Sequence, residues 1–293
     1  MDRASDTTRL AWQLRHLTTL HAVFGQALHA CARDCAVAVR DGGSLPTAEE
    51  LAGRVRAALR AACAASLRRE AFLADPKHSL MLHSVFYAGR FDREEVEAVR
   101  AKLEPCIEHL LGSTVWAAAG ALPAGGVEVV DLLDAVELRG LTVYAAPDLV
   151  LSGSEHSCTI IDWKTGRRGA DDGVQAQLAL YAWYVQRRLG LTFREGAWTG
   201  KAIYLQEGEE EQITFTQLDL IRAEHRILES AEAMRRYLRD QAAGRPLERQ
   251  AFPLVAPAFR FRCRRCRFFK LCESELLACG GMTDPAAGDV IRG

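Results

Sequence analysis

The sequence predicts an α/β chain, on three observations. Two short apolar runs, Leu149–Leu151 and Thr159–Ile161, flank a small polar turn at Ser152-Gly153-Ser154, the pattern of a β-hairpin. Just beyond them the apolar period changes from two to helical over Gln175–Arg188. Helical stretches are predicted on both sides of this centre, over residues 7–40, 48–72 and 92–111 before it and 217–242 after it.

The elements follow in order. In 7–40, Leu10, Leu14, Leu17 and Leu20 repeat at helical spacing and Val23, Leu28 and Ala32 continue the stripe, with Gly25 and His29 inside it. Asp41-Gly42-Gly43-Ser44 breaks the pattern, and Thr47-x-x-Glu50 reads as a capping box opening the next helix. Asp75-Pro76 ends that helix. A further helix is predicted over 79–87. Val96, Val99, Leu103 and Ile107 form one face of the helix over 92–111. Residues 45–118 thus read as a helical insertion without a catalytic cluster, suited to packing or to walling a groove. Leu122–Gly126 is a turn. Val127–Leu138 reads as a strand, turned at Arg139-Gly140 into Leu141–Ala146, so that Asp148 falls on the second or third strand of a sheet beginning near Val127. After the helix over 175–188 come a strand at Lys201–Gln206, an acidic turn at Glu207–Glu211 and a hairpin partner at Gln212–Phe215. Thr216 then caps the helix over 217–242.

A chain of 293 residues fits one large domain or two small ones, and 49% hydrophobic residues can fill a core. No apolar run reaches the roughly 18 residues of a membrane span. The start, MDRASDTTRLAW, lacks the apolar stretch of a signal peptide, so a cytoplasmic location is the expectation. The formal charge of −1 does not announce nucleic-acid binding. Local charge does: Arg260, Arg262, Arg264, Arg265, Arg267 and Lys270 crowd one C-terminal stretch. Such a stretch neutralises phosphates or is simply a solvated face. The nine cysteines, unevenly spread, suit thiols or metal ligands better than disulfides in that compartment.

The candidate chemistry gathers at the hairpin. Asp148 precedes the first apolar run; Asp162 and Lys164 close the second. Residues two apart on a strand share a face, so Asp162 and Lys164 project together, within reach of Asp148 on the neighbouring strand. Two carboxylates and an ammonium are too polar for a core. They can hold a divalent cation through oxygen, with the lysine beside an attacked phosphate. Gln177 and Tyr181, four apart, share one face of the following helix.

This order of parts resembles the RecB-like branch of the PD-(D/E)xK nucleases. Pro147-Asp148, Asp162-Trp163-Lys164 and Gln177-x-x-x-Tyr181 match its three core motifs, and Gly25-x-x-x-His29 matches its histidine motif. The resemblance spans residues 20–275 and implies a single nuclease domain over 1–293, with a mixed central sheet flanked by helices, a restriction-endonuclease-like core, and residues 45–118 inserted. It implies Mg²⁺ or Mn²⁺ on His29, Asp148, Asp162 and the Trp163 carbonyl. Asp148, Asp162, Lys164, Gln177 and Tyr181 would hydrolyse DNA, as an exonuclease on single strands or ends in repair, recombination or defence. A glutamate near Glu128 is common in such relatives. There is no G-x-x-x-x-G-K-[ST] loop, so ATP-driven unwinding would come from a partner helicase or another repair or defence protein. The competing class is a non-catalytic nucleic-acid-binding module that keeps the fold.

Within residues 259–279, Cys263-x2-Cys266-x5-Cys272 has a spacing suited to zinc or an iron–sulfur cluster. In similar nucleases this triplet supplies three ligands of a [4Fe–4S] cluster, and a cysteine ahead of the histidine helix supplies the fourth. No cysteine precedes Gly25 here; Cys31, Cys35, Cys106 and Cys279 are the candidates for a displaced ligand. Zinc and free thiols are the other readings.

Overall fold

The computed structural model describes residues 6–128, 134–169 and 173–278. In chain order these form α1 (Asp6–Arg15), β1 (Leu17–Thr18), α2 (Leu20–Arg40), α3 (Ala48–Ser66), α4 (Arg69–Ala74), β2 (Met81–Leu82), α5 (His83–Ala88), α6 (Arg93–Leu111) and α7 (Thr114–Gly120). Next come β3 (Val127–Glu128), β4 (Asp134–Leu138), β5 (Leu141–Ala145), β6 (Leu149–Ser152), β7 (Cys158–Lys164), α8 (Val174–Arg188), β8 (Trp198–Tyr204), β9 (Glu209–Thr214) and α9 (Gln217–Arg235). The described chain ends with β10 (Leu238–Asp240), β11 (Arg245–Pro246), a 3₁₀ segment (Pro257–Arg265) and α10 (Phe269–Ala278). The described residues fall into two compact units, one of residues 6–24, 56–100 and 248–278, the other of 25–55 and 101–247.

The second unit carries the sheet. Its five strands run in the order β3-β6-β7-β8-β9, with β7–β8 parallel and the other pairs antiparallel, so the sheet is mixed as predicted. A parallel pair needs a crossover, and α8 supplies it. Val174, Leu178, Ala182 and Val185 recur along α8 at helical spacing and are buried. They pack with Ile160, Trp198 and Phe215 in one core. At Gly200 of β8 an added Cβ would lie 2.6 Å from Phe215 Cζ and 3.2 Å from Leu178 Cβ. Only a glycine admits α8 and Phe215 this closely.

Several predicted boundaries moved. The helix over 7–40 is interrupted by β1, because the Thr19 hydroxyl accepts from Ala22 N at 3.1 Å and opens a fresh helix. β1 pairs in parallel with β2, which also displaces the first turn of the helix expected over 79–87. The helix over 48–72 stops at Ser66, whose hydroxyl donates to Ala62 O at 2.8 Å and accepts from Leu82 N at 2.9 Å. The strand expected over 127–138 is, among the described residues, two strands in two sheets: β3 joins the main sheet, while β4 pairs with β5. Residues 129–133 lie outside the described ones. Arg139 and Gly140, both at positive φ, make the hairpin turn between β4 and β5. The helix over 217–242 ends at Arg235, and the chain beyond it turns into the β10–β11 hairpin. The only buried residues of α9, Leu220 and Ala223, lie in its first two turns, so its far end has no packed face to extend. The Thr47/Glu50 box forms as predicted, Thr47 N lying 2.8 Å from Glu50 Oε2 and Glu50 N 3.3 Å from the Thr47 hydroxyl.

In the first unit α5 docks on the cysteine segment. The Tyr87 hydroxyl donates to Arg267 O at 2.9 Å and accepts from Lys270 N at 3.2 Å. Its ring meets Phe269 edge to face at 6.2 Å.

Candidate active site

The site is assembled where β6 begins and β7 ends. Leu149 pairs with Ile161, so Asp148 stands across from Asp162, one residue further along the antiparallel pair. Asp148 Oδ2 accepts from the backbone N–H of Trp163 at 2.7 Å. Its other oxygen lies 2.7 Å from His29 Nδ1 on α2. Asp148 is thus held at both ends, once by the β7 backbone and once by a helix 119 residues away in sequence.

Asp162 is nearly sealed from water, at 4% exposure. Its Oδ2 lies 2.8 Å from Lys164 Nζ, a buried ion pair. Burial raises the Asp162 carboxyl above its ordinary range; Lys164 opposes that shift and Asp148 reinforces it. Lys164 Nζ also donates to Gln177 Oε1 at 2.5 Å, and Gln177 Nε2 donates to the Tyr181 hydroxyl at 3.0 Å. Tyr181 is pushed up to about 12, first by burial and then by Asp162. Asp162, Lys164, Gln177 and Tyr181 therefore form one connected row of side chains reaching from β7 to α8.

These six side chains line a cleft of about 720 Å³. Trp163 lines it too, while its indole is buried and stacks on Trp116 at 5.4 Å. The α2 wall adds residues that the motifs did not single out: Gln26 and Arg33 lie on the stripe that carries Gly25 and His29. The spacing of Arg33, one turn after His29, was the available signal. Thr165 also lines the cleft, and its carbonyl accepts from the buried Lys102 at 3.4 Å. Nothing local in the sequence marks Lys102, because its burial depends on how α6 packs. At Gly25 an added Cβ would sit 3.4 Å from Thr165 Oγ1, an ordinary separation. Glu128 is exposed on β3 and does not line the cleft.

Among the described residues no three His, Cys, Asp or Glu side chains converge on one cation-sized point. His29 is turned to Asp148, and Lys164 to Asp162, so each carboxylate faces a cationic or hydrogen-bonding neighbour within the fold. The donor set itself suits a hard divalent cation, since two carboxylates stand across one strand pair in the wall of one cleft.

In the other unit Cys263 is buried and Cys266 and Cys272 are partly so, all as free thiols. Burial raises the Cys272 thiol, Arg249 opposes this, and Cys266 and Cys263 add to it. The three thiols are near enough to feel one another without converging as ligands. Of the candidates for a fourth ligand, Cys35 and Cys106 are pushed up by burial to about 12 and about 11, and Cys31 is raised for the same reason. All three are core thiols of the sheet-bearing unit. Cys279 lies outside the described residues.

Compared with known proteins, residues 6–273 match the family model of the PD-(D/E)XK nuclease superfamily. A search of curated proteins finds no match.

Proposed function

From the premise that this chain belongs to the PD-(D/E)XK nuclease superfamily, we propose that it is a metal-dependent nuclease that hydrolyses DNA phosphodiester bonds in the β6–β7 cleft. The observation that carries the reading is Asp148 facing Asp162 across the strand pair, with Lys164 bound to Gln177 beside them. Within the superfamily the motifs favour the RecB-like branch, and with it exonuclease action on single strands or ends. A role in repair, recombination or defence, alongside a helicase or similar partner, follows from the same resemblance.

Mg²⁺ or Mn²⁺, held by Asp148, Asp162, His29 and the Trp163 carbonyl, would polarise the phosphate and acidify a bound water. The chain's own residues do the rest. Trp163 N–H fixes the Asp148 carboxylate, and His29 fixes its orientation from α2. The Lys164 ammonium offsets charge that builds on the phosphoryl oxygens in the transition state. Gln177 holds that ammonium in place, and Tyr181 holds Gln177.

The test is paired. Purified protein with Mn²⁺ should degrade labelled single-stranded DNA, and Lys164→Ala should abolish this without changing the circular dichroism spectrum. Cutting that survives the substitution would overturn the assignment. Titration calorimetry with Mn²⁺ separates the alternative, a binding module with a dead site, which would take up no metal.

For the cysteine triplet we propose three ligands of a [4Fe–4S] cluster, with zinc as the alternative metal. The support is the spacing and the mutual influence of the three thiols. Iron, sulfide and zinc analysis of anaerobically purified protein decides between them. No step of the hydrolysis runs through this site.

A further inference from the structure

From Arg249 to Cys272 the chain carries six arginines, one lysine and no acidic residue, although the whole molecule is at −1. The same stretch exposes aromatic surface. Phe259, Phe261 and Phe268 are 49%, 68% and 36% exposed. The Arg262 guanidinium lies 5.3 Å from the Phe259 ring centre and 5.7 Å from that of Phe261. Arg265, Arg267 and Lys270 are exposed in the same stretch, and Arg267 donates to Arg15 O at 2.9 Å. The backbone beneath is anchored rather than loose: Tyr87 bonds to Arg267 O and Lys270 N, and Cys263, Phe269 and Leu276 form a buried cluster.

Rings left in water beside guanidinium groups have two unmet capacities, a face to stack on and a charge to neutralise. We propose that this face is a second nucleic-acid site, which binds single strands by stacking unpaired bases on Phe259 and Phe261 while Arg262 and Arg265 take the phosphates. Stacking needs a free base face, which a duplex hides, and it is indifferent to sequence because every base has one. A guanidinium already lying over the rings adds cation–π attraction to the stack. The inference rests on the nuclease reading only for the class of ligand; it uses none of the cleft residues.

The experiment is fluorescence anisotropy of labelled oligothymidylate with the full chain, in Ca²⁺ so that the strand is not consumed. The wild type should bind the single strand more tightly than a duplex of equal length. Phe259→Ala/Phe261→Ala should weaken binding at least tenfold with an unchanged melting temperature, as both rings are largely exposed. Arg262→Gln should flatten the salt dependence by about 0.7 for each phosphate it no longer neutralises, the slope for single strands. The proposal is overturned if the double variant binds oligothymidylate as tightly as the wild type, or if the wild type prefers the duplex. Binding to phosphatidylserine vesicles that the double variant loses, with oligothymidylate binding intact, would assign the face to a lipid surface instead. A wild type that binds but never cuts in Mn²⁺ removes the nuclease reading and leaves this site standing.

Discussion

Burial leaves the Asp162 carboxylate costly to ionise, and the neighbouring ammonium offsets only part of that cost. The folded chain therefore keeps the Asp162 proton to higher pH than the unfolded chain does. The stability this contributes is fully present below the ordinary carboxylate pKa and is lost as pH rises through the raised one. In EDTA, melting temperature should fall over that acidic window in the wild type and fall less in Asp162→Asn; thermal scans across pH check this. Gln177 is the second residue with a separable role, since it bridges Lys164 and Tyr181. Gln177→Ala should lower kcat roughly ten- to a hundredfold with little change in KM, corresponding to about 1.5–3 kcal/mol for a hydrogen bond to a charged group. Tyr181→Phe removes only the outer link and should cost less. Steady-state kinetics on one oligonucleotide compares the two. The Asp162/Lys164 pair was legible because strand alternation puts residues two apart on one face. The bond between His29 and Asp148 was not legible: the family motif offered the two only as ligands of a common cation, and no local spacing connects residues that far apart.

Among the elements, two glycines that look alike in sequence behave differently in the fold. Gly200 is pressed between Leu178 and Phe215, so Gly200→Ala must displace packed side chains. It should destabilise the chain by about 1–3 kcal/mol, the usual cost of overpacking. Gly25 sits in α2 with room for a methyl group. Gly25→Ala should stabilise by about 0.5–1 kcal/mol through helix propensity. Denaturant unfolding of both variants checks the opposite signs. At the start of α9, the Thr216 hydroxyl accepts from Asp219 N, and Asp219 accepts from Thr216 N at 2.9 Å. This box was half-read from the sequence, through Thr216 alone. The helix ends went astray where a short-range signal lost to a longer-range one. α1 and α2 read as one helix until a threonine cap and the pairing of β1 with β2 divided them. Periodicity reports which face a residue occupies, and it is silent on whether a two-residue strand elsewhere will claim the backbone.

For the whole molecule, metal binding and folding are linked, because the carboxylates that would take the cation are brought together only in the folded state. Saturating Mn²⁺ should raise the melting temperature of the wild type, by about 2.7 kcal/mol in stability at a hundredfold excess over Kd. EDTA should reverse the shift and abolish cutting, and Asp162→Asn should show no shift. No helix among the described residues is long and apolar enough to cross a membrane. What the amino-acid order determined by itself was coded within one strand or one helical turn. That covers the β6–β7 hairpin with its acidic ends, the Gln177/Tyr181 face of α8, and the Thr47/Glu50 cap. Tertiary structure alone decided that His29 closes on Asp148, that Trp163 N–H holds its other oxygen, that Arg33 joins the cleft, and that β3 and β4 belong to different sheets. The reason is physical. Local patterns fix the direction a side chain takes from its own backbone, whereas the neighbour it meets is chosen by the packing of segments far apart in the chain.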